Sequence, residues 1–352
     1  MEGRLNFKCW NIEPLKAVNA LDEDLLKNIV EWAILSPSSH NIQCWKFRVD
    51  SKNKSISIML PKEGILGASD VVGRQAYVSL GCALQNILVA AEYYGLKTNT
   101  QILGQNFYPD PVIALRLEGV PQINAQRVSW LNAIKNRRAN RGKFNPLLAV
   151  PEKSILEMQK FASSMNLKLH AIKDTPTRFA IAEVQYLADK FVIAKDNFRL
   201  ELSDFFLENN TQKSVGMPGN TFGLSDEMTR KIKDALSKTG AFDPDLSQGF
   251  SSSGRDGIKS SPVICVLSAP RDDYSNWIKV GEALTHSLLI AEMNGLSSAM
   301  HAAIVEVEFF NKMLRLRLGD AYRPTAIFRI GYKTEDRPHS PRKSVDEVIE
   351  YI

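Results

Sequence analysis

The sequence predicts an α+β fold in which two similar sheet-and-helix halves lie in one chain. Three observations carry this expectation. One stretch occurs twice, as "GCALQNILVAAEYYGL" at 81–96 and as "GEALTHSLLIAEMNGL" at 281–296. Strand-like segments flank both copies. A Gly- and Ser-rich stretch, 196–260, occurs in the second half alone.

The elements follow in order. Leu21, Leu25, Ile29 and Ala33 recur every four residues, with Leu26, Val30 and Ile34 widening the stripe, so the first helix is amphipathic. Asp22 is its expected N-cap, and it stops at Pro37. "WKFRV" then reads as a strand. Aligned at Gly81 and Gly281, the repeated helices share Ala-Leu two residues on, alanine at 91 and 291, and a terminal Gly-Leu. Glycine there suits the left-handed position after a helix. Strands "VIALRLEG" (112–119) and "AIFRIGY" (326–332) follow, and "PVICVLS" precedes the second copy.

The second half opens with a helix whose first turn holds Pro151, before Ile155, Leu156, Met158 and Ala162. Each half therefore reads helix, strand, long helix, strand. A long period with two copies signals duplication about a pseudo-twofold, with halves 1–130 and 131–352. The stretch 196–260 contains "VGMPGNTFGLS" and "SQGFSSSGRDGIKSSP" around an amphipathic helix near 225–237. Phe198, Phe205, Phe206 and Phe222 favour a lid with packing of its own, hinged at glycines 216, 219, 249, 254 and 257.

Composition excludes several classes. Across 352 residues, 44% hydrophobic and 24% charged content are those of a globular chain with a substantial core. The net charge of +5 is spread along the chain, with no zinc finger, RNP motif or basic helix, so no nucleic-acid partner is expected. No run approaches the roughly 18 apolar residues of a membrane span. The start has no apolar signal core, and the expected location is the cytoplasm. Cys9, Cys44, Cys82 and Cys265 are far apart, as free thiols in a reducing compartment would be. Histidines 40, 170, 286, 301 and 339 lack metal-ligand spacing, and no GxGxxG or P-loop occurs. "GFSSSG" is one residue off a nucleophile elbow and lies in the lid stretch, which argues against a hydrolase.

Two stretches remain that could carry chemistry. "SPSSHNIQCW" (36–45) packs hydroxyl and amide side chains between an apolar helix and an apolar strand. "NRRANRGKF" (136–144) places four cations within positions 137–143, and arginine offers forked donors suited to phosphate. Alone, such a cluster also reads as a solvated basic turn.

In combination with "PRKSVDEVI" near the C-terminus, these stretches resemble the FMN-dependent nitroreductase family. The duplication and lid resemble its Acg-type twin branch, in which one chain carries two nitroreductase-like halves and imitates the usual homodimer. The resemblance runs from about residue 20 to the end. It implies an FMN site assembled across the halves, with the arginine segment gripping the ribityl phosphate and pyrimidine edge, and the serine-rich loop reaching the ring.

On that resemblance Arg137 binds phosphate with Arg342 as second cation, and Arg141 meets the N1/O2 edge of the flavin. Arg138 and Asn140 contribute backbone and edge contacts. Pro37, Ser38, Ser39, Asn41 and Gln43 are loop contacts, and Met300, His301 and Ala302 face flavin N5. Each motif occurs in one half only, so one site per chain is expected. Departures from the family pattern are Ala139 for a phosphate-binding serine, Cys44 for a proline, and Ala302 for an acidic residue near N5. The expected function is hydride transfer from a donor such as NAD(P)H through FMN to a small electrophile, in a monomeric pseudo-dimer. The alternatives are a protein that stores FMN beneath its lid and a scaffold that has lost FMN.

Overall fold

A computed structural model describes residues 4–352. The chain opens with a 3-10 helix, Leu5–Asn11, followed by α1 (Glu23–Ala33), whose N-cap Asp22 accepts from the Leu25 N–H at 3.0 Å. Next come β1 (Lys46–Asp50), β2 (Ser55–Met59), α2 (Arg74–Tyr93), β3 (Lys97–Ile102) and β4 (Ile113–Glu118). After α3 (Val128–Asn136), the same kinds of element recur: α4 (Glu152–Ser164) and β5 (Lys168–Ile172). An excursion follows: α5 (Thr175–Ile193), α6 (Asp196–Phe205), β6 (Phe206–Leu207), β7 (Met217–Pro218), α7 (Asp226–Leu236) and α8 (Pro244–Ser260). The chain then runs through β8 (Val263–Ala269), α9 (Tyr274–Met293), β9 (Ser297–His301), α10 (Ala303–Glu306), α11 (Glu308–Leu318), β10 (Arg323–Gly331) and β11 (Ile349–Tyr351).

The larger sheet has the order β11-β1-β2-β4-β3 and the second β5-β8-β10-β9. Leaving out β11, each sheet takes its own strands in the order first, second, fourth, third, with antiparallel neighbours throughout. Each half thus gives its sheet four strands where periodicity foresees two. β3 escapes notice because it is a polar edge strand whose side chains stay mostly exposed. "WKFRV" corresponds in order to β5, while "PVICVLS" corresponds to β2.

The long helices α2 and α9 pack against each other at the residues that align the repeat. A Cβ on Gly81 would lie 2.0 Å from the Ile278 carbonyl oxygen, and one on Gly281 2.0 Å from that of Val78. Only hydrogen at both positions lets the backbones approach this closely. Apolar residues of α2 and α9 bury against their own sheets, and Trp277 and Ile278 of α9 reach into the core of the first half.

Two boundaries differ from the sequence expectation. The excursion begins at α5, not at 196, because α5 also lies between β5 and β8, where the first half has a short turn. Its Gly- and Ser-rich end is the helix α8, not a hinge. Asp243 caps it, Pro244 starts it, and Gly257 and Ile258 are buried. The C-terminal strand β11 pairs parallel with β1, so residues 349–351 complete the first sheet rather than the second. No helix among the described residues is long and apolar enough to cross a membrane. All four cysteines are free thiols.

Candidate functional site

Loop 36–45 is strained. His40, Asn41 and Gln43 have φ of 47°, 56° and 53°, in the left-handed region that non-glycine residues enter at about 1–2 kcal/mol each. Two segments hold it there. From the excursion, the Gly216 carbonyl accepts from Asn41 Nδ2 at 2.9 Å and the Ser214 carbonyl from Gln43 Nε2 at 2.7 Å. From the C-terminal segment, the Pro341 carbonyl accepts from Asn41 Nδ2 at 2.9 Å, and the Lys343 N–H donates to Gln43 Oε1 at 2.8 Å. Ser38 closes the loop by accepting from the Gln43 N–H at 2.9 Å. The polar residues of this connector are therefore spent on an unusual backbone and on contacts with two distant segments.

Beside the loop lies a cleft of about 420 Å³ counted to its mouth. Pro37, Ser38, Asn41, Arg137, Arg138, Arg141, Met300 and Arg342 are the residues expected from sequence that line it. Trp10, Ala139, Met217, His339 and Ser340 also line it, and none of these was singled out as a contact. Trp10 and His339 stack at 4.0 Å across more than three hundred residues of chain, which no local pattern signals.

The remaining expected contacts do not line the cleft. The Ser39 hydroxyl turns to Gln75, and Gln43 serves as the anchor described above. Asn140 is structural: its Nδ2 donates to the Glu335 carbonyl at 2.7 Å and its N–H to Ser298 at 2.8 Å. His301 ends β9 with Nε2 buried and unpartnered, and burial with the charges of Arg329 and Arg141 pushes its pKa down to about 3. Ala302 precedes α10 and is exposed.

The electrostatics of the cleft are lopsided. Arg137 and Arg342 are 4% and 5% exposed, and no carboxylate comes within 4 Å of Arg137, Arg141 or Arg342 among the described residues. Arg137 Nη2 donates to the Leu35 carbonyl at 3.1 Å. Arg342 donates to Asn41 Oδ1 at 2.6 Å and to the carbonyls of Pro341, Leu35 and Ser36, all neutral acceptors. Burial pushes the Arg342 guanidinium down to about 9, with the Arg137 charge adding to the effect, and pushes Arg141 down to about 10. Arg141 leaves Nη1 unpartnered, meets Met217 Sδ at 3.4 Å and lies 4.4 Å from the ring centre of Phe222. Buried cations without counter-charges are costly, and an anion between them would relieve that cost. The donor set thus fits a phosphate, while Met217 and Phe222 occupy the space beside Arg141.

No family model matches the chain. A Mycobacterium tuberculosis protein named "Putative NAD(P)H nitroreductase acg" is 25% identical over 336 residues, covering 93% of this chain and 95% of the relative. The chain is a relative of the Acg-type nitroreductases. A second M. tuberculosis protein bearing the same putative NAD(P)H nitroreductase description is 24% identical over 94% of this chain and 92% of its own length. Among solved structures, the FMN-dependent nitroreductase NfnB of Mycobacterium smegmatis in complex with NADPH is 18% identical, with a TM-score of 0.44. That match covers 64% of this chain and 99% of NfnB. The Acg-type relationship spans both halves and the excursion between β5 and β8.

Proposed function

We propose that the chain is an FMN-binding oxidoreductase that takes hydride from a reduced donor such as NAD(P)H and passes it to a small electrophile. One observation carries this reading: two buried guanidiniums, Arg137 and Arg342, and the half-buried Arg141 converge on one cleft without a carboxylate. Forked donors on two of them suit a phosphate. Arg137 and Arg342 are assigned to that group. Arg141 is assigned to the pyrimidine edge of the ring, where a cation stabilises the negative charge of the reduced state. Pro37, Ser38 and Met300 line the ring end, and Arg138 lies beside the phosphate end. Flavin, when bound, supplies the hydride chemistry; the chain's residues fix its charge balance and limit access of water.

The same reading takes the two halves as the fused subunits of a dimer, supported by their shared strand order and by the Gly81–Gly281 crossing. The excursion between β5 and β8 is the lid of a single site. A second reading, FMN storage, is favoured by one feature: Met217 and Phe222 of the excursion lie against Arg141. The test is to purify the chain with added FMN, quantify flavin released by heat, and add NADH or NADPH anaerobically. One FMN per chain, bleached by nicotinamide, is expected. Flavin that only dithionite reduces would favour storage, and a chain that retains no flavin would defeat both readings.

A further inference from the structure

The 3-10 helix Leu5–Asn11, which precedes α1, reaches the cleft and attaches to Arg342 twice. The Arg342 N–H donates to the Asn6 carbonyl at 2.9 Å. Four residues on, the Trp10 ring lies 4.8 Å from the Arg342 guanidinium carbon. That ring is itself fixed, because its Nε1 donates to the Ser340 carbonyl at 2.9 Å and His339 stacks on it at 4.0 Å and 18°. Trp10 is 7% exposed and lines the cleft. With only neutral acceptors around it, Arg342 draws on the negative face of the indole as its nearest substitute for a counter-charge, and a desolvated cation gains most from such a face.

We propose that Trp10 is a positioning residue of the anion site, acting through Arg342. Its indole holds the guanidinium on the cleft side, where an arriving anion meets it. Asn6 fixes the backbone from the same helix, while its Nδ2 donates to the Thr211 and Lys213 carbonyls of the excursion at 3.2 and 2.9 Å. The inference rests on reading the cleft as an anion site, and does not need the anion to be a flavin.

Inorganic phosphate is therefore the probe, titrated calorimetrically into the full chain and into Trp10→Phe, Trp10→Leu and Trp10→Ala. Phe keeps an aromatic face, whereas Leu fills space without one. Trp10→Phe is expected to bind within about threefold of the parent, and Trp10→Leu and Trp10→Ala about tenfold more weakly. Thermal melts identify variants that unfold, and the Phe–Leu comparison decides the matter if Ala does not fold. Leu binding phosphate as tightly as Phe would overturn the proposal, as would a parent that binds no phosphate. Parent binding of phosphate without FMN would defeat the flavin reading and leave this one standing.

Discussion

Arg137 and Arg342 meet at a single acceptor: both donate to the carbonyl of Leu35, at 3.1 and 3.4 Å. Two like charges on one neutral oxygen form an arrangement that an anion completes. Arg137→Ala is expected to weaken FMN binding ten- to a hundredfold, about 1.5–3 kcal/mol for a lost charge-assisted contact. Titration of the apo-chain by flavin fluorescence measures it, and unchanged affinity would mean that the phosphate lies elsewhere.

Arg141 separates from that pair in what it should control. Its replacement by alanine is expected to lower the midpoint potential of bound flavin while affecting affinity less than Arg137→Ala. Spectroelectrochemical titration of the two variants side by side reads the difference. A potential equal to the parent's would remove Arg141 from the ring edge.

Asn41 ties the strained loop to both Gly216 and Pro341 while accepting from Arg342. Asn41→Ala should release the excursion locally. Amide hydrogen exchange across 208–222 is expected to rise, and bound FMN to dissociate faster in stopped-flow dilution. If exchange there stays at the parent's level, the excursion is held by other contacts.

The Gly81–Gly281 crossing makes a sharp stability prediction. Gly281→Ala sets a methyl group against the Val78 carbonyl at 2.0 Å, an overpacking that neither backbone can relieve without parting the helices. A loss of about 3 kcal/mol is expected in urea denaturation. Gly249→Ala, on a helix where an added Cβ meets nothing within 4 Å, should be neutral or gain about 0.5–1 kcal/mol. Equal behaviour of the two variants would contradict the crossing.

Asp189 of α5 faces Gly254 of α8 in a buried seam, accepting from Gln185 at 2.7 Å with no cation against it. Burial raises its pKa from 3.8 to about 7. The folded chain therefore holds a proton that the unfolded chain gives up near pH 4, so stability falls as pH rises through that window and levels off above about 7. Asp189→Asn should melt higher than the parent at pH 8, with the gap shrinking toward pH 4. A gap independent of pH would show that Asp189 is not the titrating group.

Legibility in the sequence followed locality. The stripe of α1 and the repeat of α2 and α9 were readable because helical period and terminal glycines are short-range signals. Arg137 and Pro37, which line the cleft, sit in compact motifs that stand out in the sequence. β3 was not, since its side chains face solvent and lack alternation. Nor was α8, whose seven Ser and Gly residues between 247 and 257 argue for a loop. There packing overrides propensity: a Cβ at Gly254 would lie 2.4 Å from Asp189, and one at Gly257 3.0 Å from Arg329. Trp10 was missed because its partners lie at 339–342, and Ser39 and Asn140 look like contacts in their motifs but spend their groups on neighbouring backbone and side chains.

The pairing of β11 with β1 also sets an order of events during synthesis. Arg48 and Glu350, bonded at 2.6 Å, are 302 positions apart. Until the ribosome has reached Tyr351, β1 carries an open hydrogen-bonding edge next to the buried Phe47 and Val49. Such an edge invites pairing with other nascent chains. The first sheet to be translated is therefore the last to be finished, and chaperone dependence should centre on the amino-terminal half.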